Sequence, residues 1–107
     1  MMLNDGEYKG QRLLKKSTVE LMTTNQIDTL LVGKNKFGLG FEITTSAGHE
    51  ENGTSVGSFA WGGYFSTQYW ADPKLNLVGE LFLQQSPLQN GQAAGEFKKK
   101  VYQSLNK

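Results

Sequence analysis

The chain has 107 residues, thirteen of them glycine, with 37 % hydrophobic and 20 % charged residues and a formal charge of +1. That length suits one domain, residues 1–107, with a small core, and that composition excludes a disordered chain. The charge balance argues against an electrostatic nucleic-acid binder, and the lack of cysteine excludes disulfide staples, thiol catalysis and cysteine zinc sites.

In chain order, Met1-Met2-Leu3 reads as the tail of a helix closed by Asn4-Asp5-Gly6. Ser17-Thr18-Val19-Glu20 has the spacing of a capping box and opens a short helix anchored by Val19, Leu21 and Met22. Thr23-Thr24-Asn25 weakens that helix through β-branching and side-chain competition for backbone groups. Ile27 to Val32 is apolar and fits either an extended segment or a partly buried turn. Phe37, Leu39, Phe41 and Ile43 alternate with Gly38, Gly40, Glu42 and Thr44, which is strand periodicity with one buried face. Thr44 to Ser55 is polar and reads as a loop.

The dominant stretch is Ser58 to Gln84. Val56 to Ala60 and Tyr64 to Ala71 read as strands on either side of a bend at Trp61-Gly62-Gly63. Asp72-Pro73-Lys74 marks a turn, because proline pre-sets φ for the first central position. In the return strand, Leu75, Leu77, Leu81 and Leu83 share one face, while Val78 and Phe82 flank Glu80 on the other. Two partly apolar faces imply a strand covered on both sides. After a linker at Ser86 to Gly91, the spacing of Ala94, Phe97, Val101 and Leu105 predicts an amphipathic helix, with Lys98-Lys99-Lys100 on its wet face. The expected fold is α+β: an antiparallel meander covered by a C-terminal helix, with the Phe37 to Ile43 strand near one end of the sheet.

Taken together, GQRLLKKSTVELMTTNQ, FGLGFEI and SVGSFAWGGYFSTQYWADPKLNLVGELFLQQ resemble the C-terminal part of the serine beta-lactamase-like superfamily. The resemblance spans Met1 to Leu105, and its nearest branch is the class C-type group of beta-lactamases, esterases and D-alanyl-D-alanine carboxypeptidase-like proteins. It implies a partial beta-lactamase-like fold. The family's site combines Ser-x-x-Lys, a Tyr-x-Asn-type motif and a strand motif such as Lys-Thr-Gly or Trp-Gly-Gly. Only the third has a counterpart here, Trp61-Gly62-Gly63. The resemblance implies that the Tyr64 amide is the sheet-side oxyanion donor and that Trp61, Gly62 and Gly63 wall the substrate side. Glycine allows close approach of substrate backbone, and an amide aimed at a developing oxyanion stabilises charge that appears in the transition state.

Ser104-Leu105-Asn106-Lys107 matches Ser-x-x-Lys only nominally, because it follows the Trp-Gly-Gly motif instead of preceding it. The expected chain is therefore one part of a serine hydrolase acting on an ester, lactam or peptide, inactive alone. The alternative is a non-enzymatic binding or vestigial domain using the same groove. A carbohydrate module built on Trp61, Tyr64, Tyr69 and Trp70 is a third reading, set against ordinary strand packing.

The sequence gives no evidence for a cofactor, and none is expected. His49 with Glu50 and Glu51 is too sparse for an ordered metal site, and Asn52-Gly53-Thr54 reads as a polar loop, not a glycosylation acceptor. No leader opens the sequence and no apolar run spans a bilayer, so a non-membrane, cytoplasmic location is the default. The family's flanking strands have no counterpart here. The Leu75 to Gln84 edge is therefore expected to pair with a second copy, as a homodimer, or with an N-terminal half.

Overall fold

A computed structural model describes residues 1–30, 33–87 and 92–105. The chain opens with a 3-10 turn at Met2–Asn4, closed by Asp5 in the left-handed region at φ 50°. A two-stranded hairpin follows, β1 (Glu7–Tyr8) and β2 (Gln11–Arg12). Its turn residues Lys9 and Gly10 both have positive φ, at 49° and 76°, matching the right-handed twist of the strands they join.

Helix α1 (Lys16–Thr23) starts two residues before the sequence suggests. The capping box does not form, because Ser17 already lies inside the first turn. The Lys15 carbonyl closes that turn instead, accepting from the Thr18 and Val19 amides at 3.0 and 3.2 Å. Val19 is buried, Met22 is partly buried and Leu21 is exposed.

The main sheet has five antiparallel strands in sequential order: β3 (Lys36–Phe37), β4 (Glu42–Ile43), β5 (Phe59–Gly62), β6 (Gln68–Asp72) and β7 (Leu77–Leu81). The continuous strand expected over Phe37 to Ile43 is a hairpin folded at Leu39-Gly40, with Gly40 at φ +89°. Gly38 explains the break. A Cβ there would lie 2.0 Å from the Met22 carbonyl oxygen, and the Leu39 amide donates to that same oxygen at 3.2 Å. Backing onto the end of α1 turns the chain where alternation alone would extend it.

The polar stretch expected to be a loop contains helix α2 (Ser46–Asn52). Thr45 caps it, its hydroxyl accepting from the Gly48 amide, and Gly53 ends it in the left-handed region. The strand expected at Val56 to Ala60 begins later, at Phe59, and runs through Gly62.

Two layers cover the sheet. Ile43, Phe59 and Ala71 form a buried cluster on one face, packed by Met2, Leu3 and Phe41. The other face carries α3 (Ala93–Leu105). That helix buries Ala94 and Tyr102, while Phe97 and Leu105 remain exposed. Its seat is thus rotated from the expected 94-97-101-105 stripe. Lys98, expected in water, is half-buried, with Nζ 5.0 Å from the Trp70 ring centroid.

The rotation follows from one buried pair. Tyr102 donates its hydroxyl to Asp72 Oδ2 at 2.8 Å, and the Lys74 and Leu75 amides donate to Asp72 Oδ1 at 3.0 and 3.1 Å. The aspartate that forms the β6–β7 turn therefore also fixes the helix. Burial pushes the Asp72 carboxyl up, but hydrogen bonds from Ser55, Tyr102 and the two amides outweigh it and hold the group below its ordinary 3.8. Burial, with the Asp72 bond and charge, pushes the Tyr102 phenol up from 10.0 to about 12.

The signs give two pH limits. The Asp72 contribution is fully present above the ordinary aspartate value of 3.8 and is lost as pH falls through its lowered folded value. The Tyr102 contribution is present below pH 10.0 and is lost as pH rises towards about 12. Tyr102→Phe is expected to cost about 1–2 kcal/mol at neutral pH by chemical denaturation. It should also abolish the alkaline decline, which a purely steric role for the ring would leave in place.

Strand β7 is the terminal strand of the sheet, and no described strand pairs with its outer side. Val78 is 54 % exposed and Phe82 75 %, so the two-sided cover read from its apolar faces is not present. Among the described residues no helix is long and apolar enough to cross a membrane.

Candidate functional site

Trp61 and Gly62 are the last residues of β5, paired with Tyr69 and Gln68. The bend begins two residues later than the sequence suggests, at Gly63. The Ser66 amide donates to the Gly63 carbonyl at 3.0 Å and the Gly63 amide to the Thr67 carbonyl at 2.8 Å. Tyr64 and Phe65 are the two central residues of that turn, and Ser66 follows at φ 67°. A three-residue hairpin loop ending in a left-handed residue is a common connection, usually with glycine at that last position.

Here serine occupies the position and is tied down. Ser66 Oγ donates to the Gln85 carbonyl at 2.8 Å, and the Gln85 amide returns a bond to the Phe65 carbonyl at 3.2 Å. The segment after β7 therefore braces the turn. Nothing in the spacing around Ser66 reveals this, because the partner lies nineteen residues away.

Gly62 and Gly63 line an open groove of about 340 Å3, together with Thr67, Gln68, Tyr69, Glu80 and Phe82. A Cβ on Gly63 would lie 3.0 Å from Thr67 Oγ1, and one on Gly62 3.1 Å from the Thr67 carbonyl oxygen, so both glycines keep this strand end thin. Tyr64 does not line the groove. Its ring is 82 % exposed and stands edge-to-face with Phe65 at 5.2 Å. Among the described residues the Tyr64 amide, immediately after Gly63, has no hydrogen-bond acceptor.

Trp61 is 50 % exposed, with its ring edge-to-face with Phe37 at 4.9 Å. The aromatic set considered as a sugar platform is divided. Trp70 is buried under α3, whereas Tyr69 packs edge-to-face on Phe41 at 6.4 Å. On the α3 side, Glu42, Ala60, Gly62, Gln68 and Lys98 border a cavity of about 330 Å3. Burial holds the Lys98 ammonium below its ordinary range, partly offset by the Glu42 charge.

Ser104 does not join these residues. It lies exposed in the last turn of α3, its hydroxyl donating to the Val101 carbonyl at 2.7 Å, and Asn106 and Lys107 lie outside the described residues. His49 is on α2, with Nδ1 2.8 Å from the Thr54 carbonyl, an oxygen that can only accept, so Nδ1 carries the proton. Among the described residues no three of His, Cys, Asp or Glu gather to hold a metal ion.

No protein-family model matches this sequence, and no curated protein is significantly similar to it. Solved structures do match. A mutant of simvastatin synthase from Aspergillus terreus aligns with a TM-score of 0.76 at 24 % identity, covering 98 % of this chain and 32 % of that one. EstCE1, described as a hydrolase with promiscuous acyltransferase activity, aligns with a TM-score of 0.70 at 19 % identity, covering 94 % and 27 %. The chain thus spans about a third or less of either structure's length. It shares its fold, an antiparallel sheet covered by a C-terminal helix, with part of each of these two chains.

Proposed function

We propose that this chain supplies the sheet-side wall of a beta-lactamase-like serine hydrolase of the class C type, whose serine, lysine and tyrosine motifs come from another segment. The reaction is acyl transfer: the serine hydroxyl attacks an ester, lactam or peptide carbonyl, the leaving group departs, and water releases the acid. Tyr64 contributes its amide to the oxyanion hole, and Trp61, Gly62 and Gly63 flank the substrate. The observation carrying this reading is the Tyr64 amide, which has no acceptor among the described residues, next to two glycines that line a groove. Such a donor, held by a braced turn, needs no reorganisation when charge develops.

The test is complementation. The purified chain should not hydrolyse a chromogenic ester above background. Mixing or fusing it with the upstream Ser-x-x-Lys and Tyr-x-Asn segment from the same gene should bring turnover. Hydrolysis by the chain alone, lost in Ser104→Ala, would overturn the assignment.

The same reading makes β7 the join to that segment, or to a second copy when the segment is absent. The exposed Val78, the exposed Phe82 just beyond the strand and an outer edge that no described strand pairs favour strand addition, since Leu77–Leu81 holds no proline or lysine and Glu80 is its one charge. Light scattering is expected to show concentration-dependent dimers or larger species for the isolated chain, reduced by Val78→Lys. A monomer at all concentrations would count against this edge.

A further inference from the structure

Beside Trp61 lies a second pocket, of about 460 Å3, walled by Ile27, Leu30, Phe37, Glu42 and Trp61. That volume falls within the roughly 300–1,000 Å3 of small-molecule sites. Four of its five walls are apolar. Leu30 is 82 % exposed and Trp61 50 %, so both present apolar surface at this pocket.

The segment that presents these side chains is held by its own bonds. Asn25 Oδ1 accepts from the Ile27 amide at 3.1 Å, Asn25 Nδ2 donates to the Asp28 carbonyl at 3.1 Å, and the Leu30 amide donates to the Ile27 carbonyl at 2.9 Å. The Gln26 amide adds a bond to the Phe37 carbonyl at 2.8 Å, joining the segment to β3. These bonds tie the backbone of residues 25–30 to itself and to β3.

Glu42 is its one charged wall, its Oε1 accepting from Asn35 Nδ2 at 2.8 Å. A carboxylate on an otherwise apolar wall repels an anion and tolerates a neutral group, and Lys98 in the adjoining cavity offsets only part of that charge. Trp61 is shared between this pocket and the cavity that reaches Gly62, so a ligand seated here lies against the residue that precedes the two glycines.

We propose that the Ile27–Leu30–Phe37–Trp61 pocket is an acyl-chain subsite that takes the short, uncharged acyl group of an ester and turns away the free carboxylate. Its catalytic meaning rests on the hydrolase reading, whereas its binding does not. In hydrolysis, water adds to the acyl carbon, the alcohol leaves, and the acid loses its proton at neutral pH. The pocket then faces an anion beside Glu42, which favours departure of the product.

The experiment titrates the isolated chain with methyl butanoate, methyl hexanoate and hexanoate near neutral pH, following amide shifts and tryptophan emission. Trp70 is buried, so the emission change should report Trp61. Methyl hexanoate is expected to shift Ile27, Leu30 and Phe37 saturably. It should bind more tightly than the butanoate ester by about fourfold per added methylene. Hexanoate should bind about fivefold more weakly than its ester, and Glu42→Gln should close that gap. Leu30→Asp, at an exposed position, should abolish the response with the circular dichroism spectrum unchanged.

Absence of saturable shifts in the folded chain, shifts confined to another surface, or equal binding of acid and ester unaffected by Glu42→Gln would each overturn the proposal. Turnover is not read, so a chain without catalysis leaves the result standing. In the complemented hydrolase, Leu30→Asp should lower kcat/KM for the hexanoyl ester relative to the acetyl ester. An unchanged ratio with turnover intact would overturn the subsite and leave the hydrolase reading in place.

Discussion

Tyr64→Pro in the complemented hydrolase is expected to lower kcat by about 10²–10³-fold, the usual loss on removing one oxyanion donor. Proline suits this test because Tyr64 is the first central residue of the Gly63–Ser66 turn, where the fixed φ is favoured. The Tyr64 amide has no protein acceptor among the described residues, so the substitution removes no bond of the fold. The residue before a proline is pushed towards extended backbone, and Gly63 already continues β5 into the turn with its amide bonded to the Thr67 carbonyl. Thermal stability should therefore barely change. Tyr64→Ala, which keeps the N–H and removes only an exposed ring, should retain most of kcat. Equal losses in the two variants would assign the effect to the phenol ring and remove the amide from the oxyanion hole.

Gly79→Ala is expected to destabilise the chain by about 3 kcal/mol, the upper end of ordinary overpacking. The new methyl carbon would lie 2.1–2.5 Å from three atoms of the Trp70 indole. That ring is 1 % exposed, sealed by α3 and edge-to-face with Phe97 at 6.0 Å, so it has nowhere to retreat. At about 4–8 °C per kcal/mol for a chain of this size, Tm should fall by some 12–24 °C. Gly95→Ala provides the opposite sign. It lies within α3 with nothing inside 4 Å of its Cβ position, and should stabilise the helix by about 0.5–1 kcal/mol. In a Trp70→Leu background the Gly79→Ala penalty should largely vanish. If it persists, the clash with the indole is not its cause.

The glycines beside these two sites differ in legibility. The Trp61-Gly62-Gly63 run stands out in the sequence because a tryptophan beside two glycines at a strand end is a pattern in itself. Gly79 reads only as a weak point in a leucine-rich strand. Its purpose appears once the register places it opposite Trp70, nine residues earlier in the chain. Gly38 is similar: alternation made it one face of a long strand, and only its approach to the Met22 carbonyl reveals the hairpin. The missed α2 had local signals, Thr45 at the cap and Gly53 at the end, but no apolar stripe to draw attention to them.

The candidate site divides along the same line. Trp61, Gly62, Gly63 and Tyr64 are candidates the sequence can nominate, since the pattern that singles them out is carried by neighbours in the chain. Phe37 against Trp61, the Gln85 brace on Ser66 and the Ile27–Leu30 wall could not, because each depends on residues brought together across the fold.

The sequence by itself determined the α+β class, the terminal helix, the Asp72-Pro73 turn and a strand leading into the Trp61-Gly62-Gly63 run. These follow from periodicity and turn chemistry acting over a few residues. Tertiary structure alone decided which face of α3 is buried, because the Tyr102–Asp72 bond spans thirty residues and outweighs the apolar stripe. It also left β7 as the open edge. Whether a strand is interior or terminal depends on which other strands lie beside it, and its own pattern of leucines carries no information about that.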